Sequence, residues 1–88
     1  MRILYSDEAK VDLLWLKRND SRLIKRIIQL IDDIQANPFT GLGKPERLKH
    51  ELSGLWSRRI DKKNRLFYRL VDDETIEIVR CKGHYGDK

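Results

Sequence analysis

The chain opens on a short apolar run, Arg2–Tyr5, that predicts a first strand. Ser6 follows as a helix cap, with Asp7 and Glu8 in the first turn, where negative charge is favourable against the helix dipole. The helix is predicted to run to about Lys17, with Ala9, Leu13 and Leu16 on one stripe and Val11, Leu14 and Trp15 widening it. Asn19-Asp20-Ser21 supplies a break and a new cap. Beyond it Leu23, Ile27, Leu30, Ile31 and Ile34 recur at spacings of three and four, flanked by Ile24 and Ile28, which is the signature of an amphipathic helix. That helix stops before Asn37-Pro38, because proline disfavours the helical conformation of its predecessor.

After the Gly/Pro-containing stretch from Asn37 to Pro45 the period changes to two. Gly54–Asp61 is predicted as a strand, with Trp56, Arg58 and Ile60 on one face and Leu55, Ser57 and Arg59 on the other. Lys62-Lys63-Asn64 is a turn. In Arg65–Val71, Leu66, Tyr68 and Leu70 face one way and Arg65, Phe67, Arg69 and Val71 the other. Asp72-Asp73-Glu74 turns the chain into a last long strand, Thr75–Cys81, whose apolar content is Ile76, Ile78 and Val79. Two helices followed by an antiparallel meander make an α+β layer fold.

At 88 residues the chain is predicted to be one domain, residues 1–88, too small to enclose a large ligand cavity. Any active site therefore belongs on the surface or in a shallow groove. A hydrophobic content of 40% and clear periodicity exclude a disordered chain despite 38% charged residues. The single cysteine, Cys81, forms no intramolecular disulfide and fits a reducing compartment. With no apolar leader at the start and no run of about 18 apolar residues, a cytoplasmic protein without membrane contact is expected.

The net charge of +5 is unevenly placed. From Lys44 to Arg69 there are nine basic residues (Lys44, Arg47, Lys49, Arg58, Arg59, Lys62, Lys63, Arg65, Arg69) against three acids (Glu46, Glu51, Asp61), so the rest of the chain is slightly acidic. Solvated strand faces would account for this, and so would a surface for a polyanion. Alternation sends Arg59, Arg65 and Arg69 to one sheet face, and Trp56, Phe67, Tyr68 and Tyr85 are interleaved, as a single-stranded nucleic acid would require for stacking.

RNA cleavage needs no metal. A base removes the 2′-hydroxyl proton, an acid protonates the leaving 5′-oxygen, and a cation stabilises charge on the phosphoryl oxygens. Few groups here suit those tasks. Glu46 is a lone carboxylate in the basic segment, and His84 follows the last strand. An ordinary salt bridge from Glu46 to Lys44, Arg47 or Lys49, and a surface histidine at His84, are the competing explanations. Cys81-x-x-His84 is half a zinc site without a second cysteine pair, and His50 is the only other imidazole, so no metal and no cofactor is expected. Gly41-x-Gly43-Lys44 lacks the Ser/Thr and the strand–loop–helix context of a phosphate-binding loop.

The stretch Asn37-Pro-Phe-Thr-Gly-Leu-Gly-Lys-Pro-Glu-Arg-Leu-Lys-His-Glu-Leu-Ser-Gly-Leu-Trp-Ser-Arg-Arg-Ile60, then Arg65-Leu-Phe-Tyr68, Asp72-Asp73 and His84-Tyr85, resembles the YoeB/Txe toxins of the RelE superfamily. The resemblance covers nearly the whole chain, the two amino-terminal helices included. It implies a microbial-ribonuclease-like twisted antiparallel sheet with two N-terminal helices on one side. It implies the toxin of a bacterial toxin–antitoxin pair, an endoribonuclease that cuts mRNA in the ribosomal A site and so inhibits translation. On this pattern Glu46 is the general base, Arg65 the phosphate-stabilising arginine and His84 the general acid, while Lys49, Arg59 and Tyr85 hold substrate. The implied partners are a YefM/Phd-type antitoxin, the ribosome with its mRNA, operator DNA only through the antitoxin complex, and a second copy in a homodimer. This sequence departs from the pattern in an extra Gly83 before His84 and in the extension Gly86-Asp87-Lys88. A non-enzymatic toxin that poisons a target such as DNA gyrase by binding is the alternative of a different class, and a basic RNA-binding module without chemistry is a third.

Overall fold

The structure, a computed structural model, describes residues 1–83. His84 and Tyr85, with the 86–88 extension, lie outside the described residues. In chain order the elements are β1 (Arg2–Tyr5), α1 (Asp7–Asn19), α2 (Arg22–Ala36), β2 (Glu46–Arg47), a 3₁₀ turn (His50–Leu52), β3 (Trp56–Arg59), β4 (Arg65–Asp72) and β5 (Thr75–Arg80). The two-residue β2 and the 3₁₀ turn carry too little periodicity to show in the sequence.

Ser6 caps α1 as predicted. Its Oγ accepts from the Ala9 N–H at 3.0 Å and donates to the Val79 carbonyl at 2.7 Å, tying the helix start to β5. Ser21 does not cap in the same way. Its backbone is already helical (φ −63°, ψ −18°), so its hydroxyl makes no bond across the first turn of α2.

The apolar stripe of α1 is narrower than its sequence suggests. Val11, Leu14 and Trp15 are exposed, and the inward positions are Ala9, Asp12 and Leu16. Between Ala9 and Leu16 the inward side thus carries Leu13, partly buried against the core as predicted, and an acid, Asp12, and at 100° per residue 11, 14 and 15 turn outward. Asp12 is accommodated because its carboxylate accepts from Arg80 Nε at 2.8 Å, Arg80 Nη2 at 3.2 Å and the Cys81 N–H at 3.0 Å. On α2, Ile27, Leu30, Ile31 and Ile34 are buried, and Ile28 is exposed.

The sheet runs β1-β5-β4-β3-β2. The meander from β3 to β5 is antiparallel as expected, β2 adds antiparallel to β3 at one edge, and β1 adds to the far edge parallel to β5. The parallel pair follows from the path of the chain. The helices carry it off the sheet after β1, and three antiparallel steps later β5 returns beside β1 in the same direction. Leu66, Tyr68, Ile76 and Ile78 of the sheet join Ala9, Leu16 and the α2 residues in one core. The even-numbered side chains of β4 thus meet the helices, and the odd-numbered ones lie on the opposite face. No helix is long and apolar enough among the described residues to cross a membrane.

Candidate active site on the helix-free face of the sheet

Register decides which side chains share the helix-free face. Glu46 pairs with Ser57, Ser57 with Phe67, and Arg59 with Arg65. Glu46, Ser57, Arg59, Arg65, Phe67 and Arg69 therefore project to one side. Phe67 is buried there, outside the main core.

Glu46 and Arg65 meet on this face. Arg65 Nη2 donates to Glu46 Oε1 at 3.3 Å, across a sequence separation of nineteen residues. Arg65 is held from behind as well, since its Nε donates to Ser57 Oγ at 3.0 Å. The two partners differ in freedom: the Arg65 side chain is 16% exposed, that of Glu46 66%. No bond from Glu46 to Lys44, Arg47 or Lys49 occurs; Arg47 instead lies over the Trp56 ring, 5.5 Å from its centroid. Arg59 is exposed directly opposite Arg65, and Lys49 is exposed just before the 3₁₀ turn.

Two of the arginines counted with the basic segment do other things. Arg69 bonds Glu77 at 2.8 Å, its register partner on β5, and is largely neutralised there. Arg58 is fully buried on the core side and organises the loop that leads into β2. All five of its N–H donors are used: Nε to Tyr68 Oη at 3.1 Å, Nη1 to Asp33 Oδ2 at 2.6 Å and to the Leu42 carbonyl, Nη2 to the carbonyls of Asn37 and Thr40. Hydrogen bonds from Arg58 and from the Leu42 N–H hold the Asp33 carboxyl below the usual carboxylate range. Burial raises the Tyr68 hydroxyl, which donates to the Pro38 carbonyl at 2.7 Å. Gly43 closes the loop onto β3, accepting from the Arg59 N–H at 2.6 Å. At φ +77° a Cβ there would meet the Arg59 carbonyl at 2.9 Å, so glycine is required. Glu46 is thus delivered by a loop whose shape depends on a buried arginine.

The other end of the site is set by the last described residues. The Arg65 N–H donates to the Gly83 carbonyl at 3.1 Å, and the Gly83 N–H donates to Asn64 Oδ1 at 2.9 Å. Asn64 is itself held by Asp61, whose Oδ1 accepts the N–H groups of Lys63 and Asn64. The predicted acid His84 and the predicted substrate contact Tyr85 lie outside the described residues. Cys81 is buried, and burial pushes its thiol up to about 12, which disfavours a nucleophilic thiolate at neutral pH.

An exposed carboxylate beside an anchored guanidinium can exchange its ion pair for a phosphate, leaving the carboxylate free to accept a proton. Sequence reasoning did not single out Ser57 or the structural role of Arg58. Strand alternation put both on their correct faces, but nothing local distinguishes a buried arginine with five partners from a solvated one.

Residues 5–85 match the family model described as a YoeB-like toxin of a bacterial type II toxin–antitoxin system. The chain is 46% identical over 85 residues to toxin YoeB of Escherichia coli K12, covering 97% of this chain and all of that one. It is 46% identical over 81 residues to toxin RelK of Mycobacterium tuberculosis, covering 92% of this chain and 94% of that one. Among solved structures, a YoeB/ParE toxin from Agrobacterium tumefaciens superposes with a TM-score of 0.91 at 36% identity, over 97% of this chain and 100% of that one. The YoeB dimer from Staphylococcus aureus gives 0.88 at 41% identity, over 97% and 98%. With a full-length match in sequence and in fold, the chain belongs to the YoeB family, the toxins of bacterial type II toxin–antitoxin systems.

Proposed function

We propose that this toxin is a metal-independent, ribosome-dependent mRNA endoribonuclease of the cytoplasm. Glu46 removes the proton from a ribose 2′-hydroxyl, and the oxygen attacks the adjacent phosphorus. Arg65 stabilises the charge that builds on the phosphoryl oxygens, and His84 protonates the departing 5′-oxygen. The products are a 2′,3′-cyclic phosphate end and a free 5′-hydroxyl; Glu46 is left holding the proton of the 2′-hydroxyl, and His84 is left without the one it gave to the 5′-oxygen. Lys49 and Arg59 hold the strand's phosphates, and Tyr85 packs against the RNA.

The observation that supports this reading most is the contact between Glu46 and Arg65. A base and a phosphate-binding cation must lie within one nucleotide of each other, and these two are 3.3 Å apart on a basic face. An incoming phosphate competes for the Arg65 guanidinium and releases the Glu46 carboxylate toward the 2′-hydroxyl. A site so shallow offers little to orient a flexible strand, so the ribosome must present the message in line.

A YoeB of Staphylococcus aureus has been solved in a heterotetrameric toxin–antitoxin complex with YefM, and a YoeB of that organism as a dimer. By that likeness we assign this chain a YefM-type antitoxin, a route to operator DNA only within that complex, and a capacity to form homodimers. The test is primer-extension mapping of one mRNA in a reconstituted translation reaction and as naked RNA. Wild-type protein should cut the translated message and spare most of the naked one, and Glu46→Ala should cut neither. A Glu46→Ala protein that still arrests growth would point to a toxin that acts by binding its target.

A further inference from the structure

We propose that Ser57 is a positioning residue for the cleavage reaction, acting through Arg65; this rests on the nuclease reading above. Arg65 begins β4 and Glu46 lies on β2, with β3 between them. For the guanidinium to reach Glu46 it must cross β3. In the register, Arg65 stands opposite Arg59, and Ser57 is two residues further along β3, on the same face. A diagonal of that kind is within reach of a long side chain. The Arg65 side chain therefore runs over Ser57, and Ser57 is in turn the direct partner of Glu46.

Two properties of serine suit this place. It is small, so it leaves room above the strand for the arginine to pass between Glu46 and Phe67, the neighbours of Ser57 on either side. Its hydroxyl is also a hydrogen-bond acceptor, and Oγ takes the Nε–H of Arg65 at 3.0 Å while Ser57 itself is fully buried. A bond at Nε fixes the plane of the guanidinium and leaves the terminal nitrogens as the forward edge. Nη2 already points along that edge at Glu46. The edge with two parallel N–H groups is the one that binds phosphate as a fork.

The need for such a support is electrostatic. Arg59 lies directly opposite Arg65, and like charges in that position repel. Without a fixed acceptor, Arg65 would swing toward solvent or toward the exposed carboxylate of Glu46 alone. Ser57 keeps it in one orientation in the absence of substrate, so little ordering remains for the transition state.

The experiment compares wild type, Ser57→Ala, Arg65→Ala and the double variant. It measures single-turnover cleavage of ribosome-bound mRNA, thermal unfolding, and water exchange at the Arg65 Nε–H by NMR. Ser57→Ala should lower the saturating rate ~10- to 100-fold, the range for a misplaced catalytic group, while the half-saturating toxin concentration moves little. Its melting temperature should stay near that of wild type, and its Arg65 Nε–H should exchange faster. The double variant should be no slower than Arg65→Ala, because Ser57 acts only through Arg65. Undiminished cleavage by Ser57→Ala beside an inactive Arg65→Ala would overturn the inference and leave the nuclease reading intact. An unchanged Nε–H exchange rate would overturn it equally. Faster exchange with both single variants fully active would overturn the inference together with the role of Arg65, whereas wild-type protein that cleaves no message would overturn the nuclease reading itself.

Discussion

Arg58 offers the sharpest test of how this fold holds its site. Replacing it with methionine keeps most of the buried stem and deletes five donors. Five oxygens then lose a partner: the hydroxyl of Tyr68, the carboxylate of Asp33 and the carbonyls of Asn37, Thr40 and Leu42. The loop carbonyls can recruit water after a small shift, so each should cost near the lower end of ~1–3 kcal/mol. With the Tyr68 hydroxyl the sum over four of the five oxygens reaches roughly 4 kcal/mol, the Asp33 carboxylate, 21% exposed, being left to water. The usual cost of removing one member of a buried ion pair, ~3–5 kcal/mol, gives the same scale by a separate route. For a domain of this size that is a fall of ~15–30 °C in melting temperature, and a large part of a total stability of ~5–15 kcal/mol. Urea unfolding followed by tryptophan fluorescence reads it directly, since Trp56 adjoins Arg58 on β3. Arg58→Lys should recover part of the loss, having three donors for five acceptors. The double variant Arg58→Met/Asp33→Leu should recover almost none, because the three carbonyls stay unpaired. A loss below ~1 kcal/mol for Arg58→Met, or a double variant as stable as wild type, would refute the view that this arginine acts as a backbone staple.

Other expectations follow from the same geometry. Glu46→Gln should cut mRNA cleavage ~100-fold or more in single-turnover assays with little change in melting temperature, since an exposed ion pair contributes only ~0–1 kcal/mol. Arg65→Lys should lose activity comparably in the same assay, because one ammonium cannot bond Ser57 and also fork a phosphate. The lowered pKa of Asp33 adds stability that is fully present above the ordinary carboxylate value of ~3.9 and is lost as the pH falls through the lowered folded value. Urea midpoints measured down to about pH 2.5 should therefore fall more steeply for wild type than for Asp33→Asn. Cys81, buried and with its thiol near 12, should react with Ellman's reagent only when the protein is unfolded in urea.

Much of this architecture was legible in the chain. The period of α2, the cap at Ser6 and the alternation through β3 and β4 are local features, and each maps onto a single element. The placing of Arg59 and Arg65 on one face followed from alternation as well, whereas that of Glu46 rests on the two-residue β2, which has no period to read. What escaped were features created by distant partners. Val11, Leu14 and Trp15 look like core on a helical wheel, until an ion pair between Asp12 and Arg80, 68 residues apart, fixes which side of α1 faces inward. Arg58 and Arg59 are neighbours of the same type, yet one is a buried staple and the other an exposed cation, a contrast set by the carbonyls of a loop some 16–21 residues away. Resemblance to a family supplied the expected role of Arg65, which residue chemistry alone could not rank above Arg59 or Arg69.

The parallel pairing of β1 with β5 also bears on the order in which the protein is made. Synthesis delivers Arg2–Tyr5 first, yet its strand partner among the described residues is Thr75–Arg80, and Ser6 is tied to Ile78 and Val79. Ile76 and Ile78 complete the core from the same late segment. A nascent chain that has not yet exposed β5 has an unpaired edge strand, an open core and no Gly83 carbonyl for the Arg65 N–H. Contacts this distant along the chain close slowly. The basic face with Glu46 and Arg65 therefore takes shape only after the translating ribosome has finished with this part of the message. On the activity proposed above, the ribosome that makes the toxin would meet no finished site while β5 is still unmade.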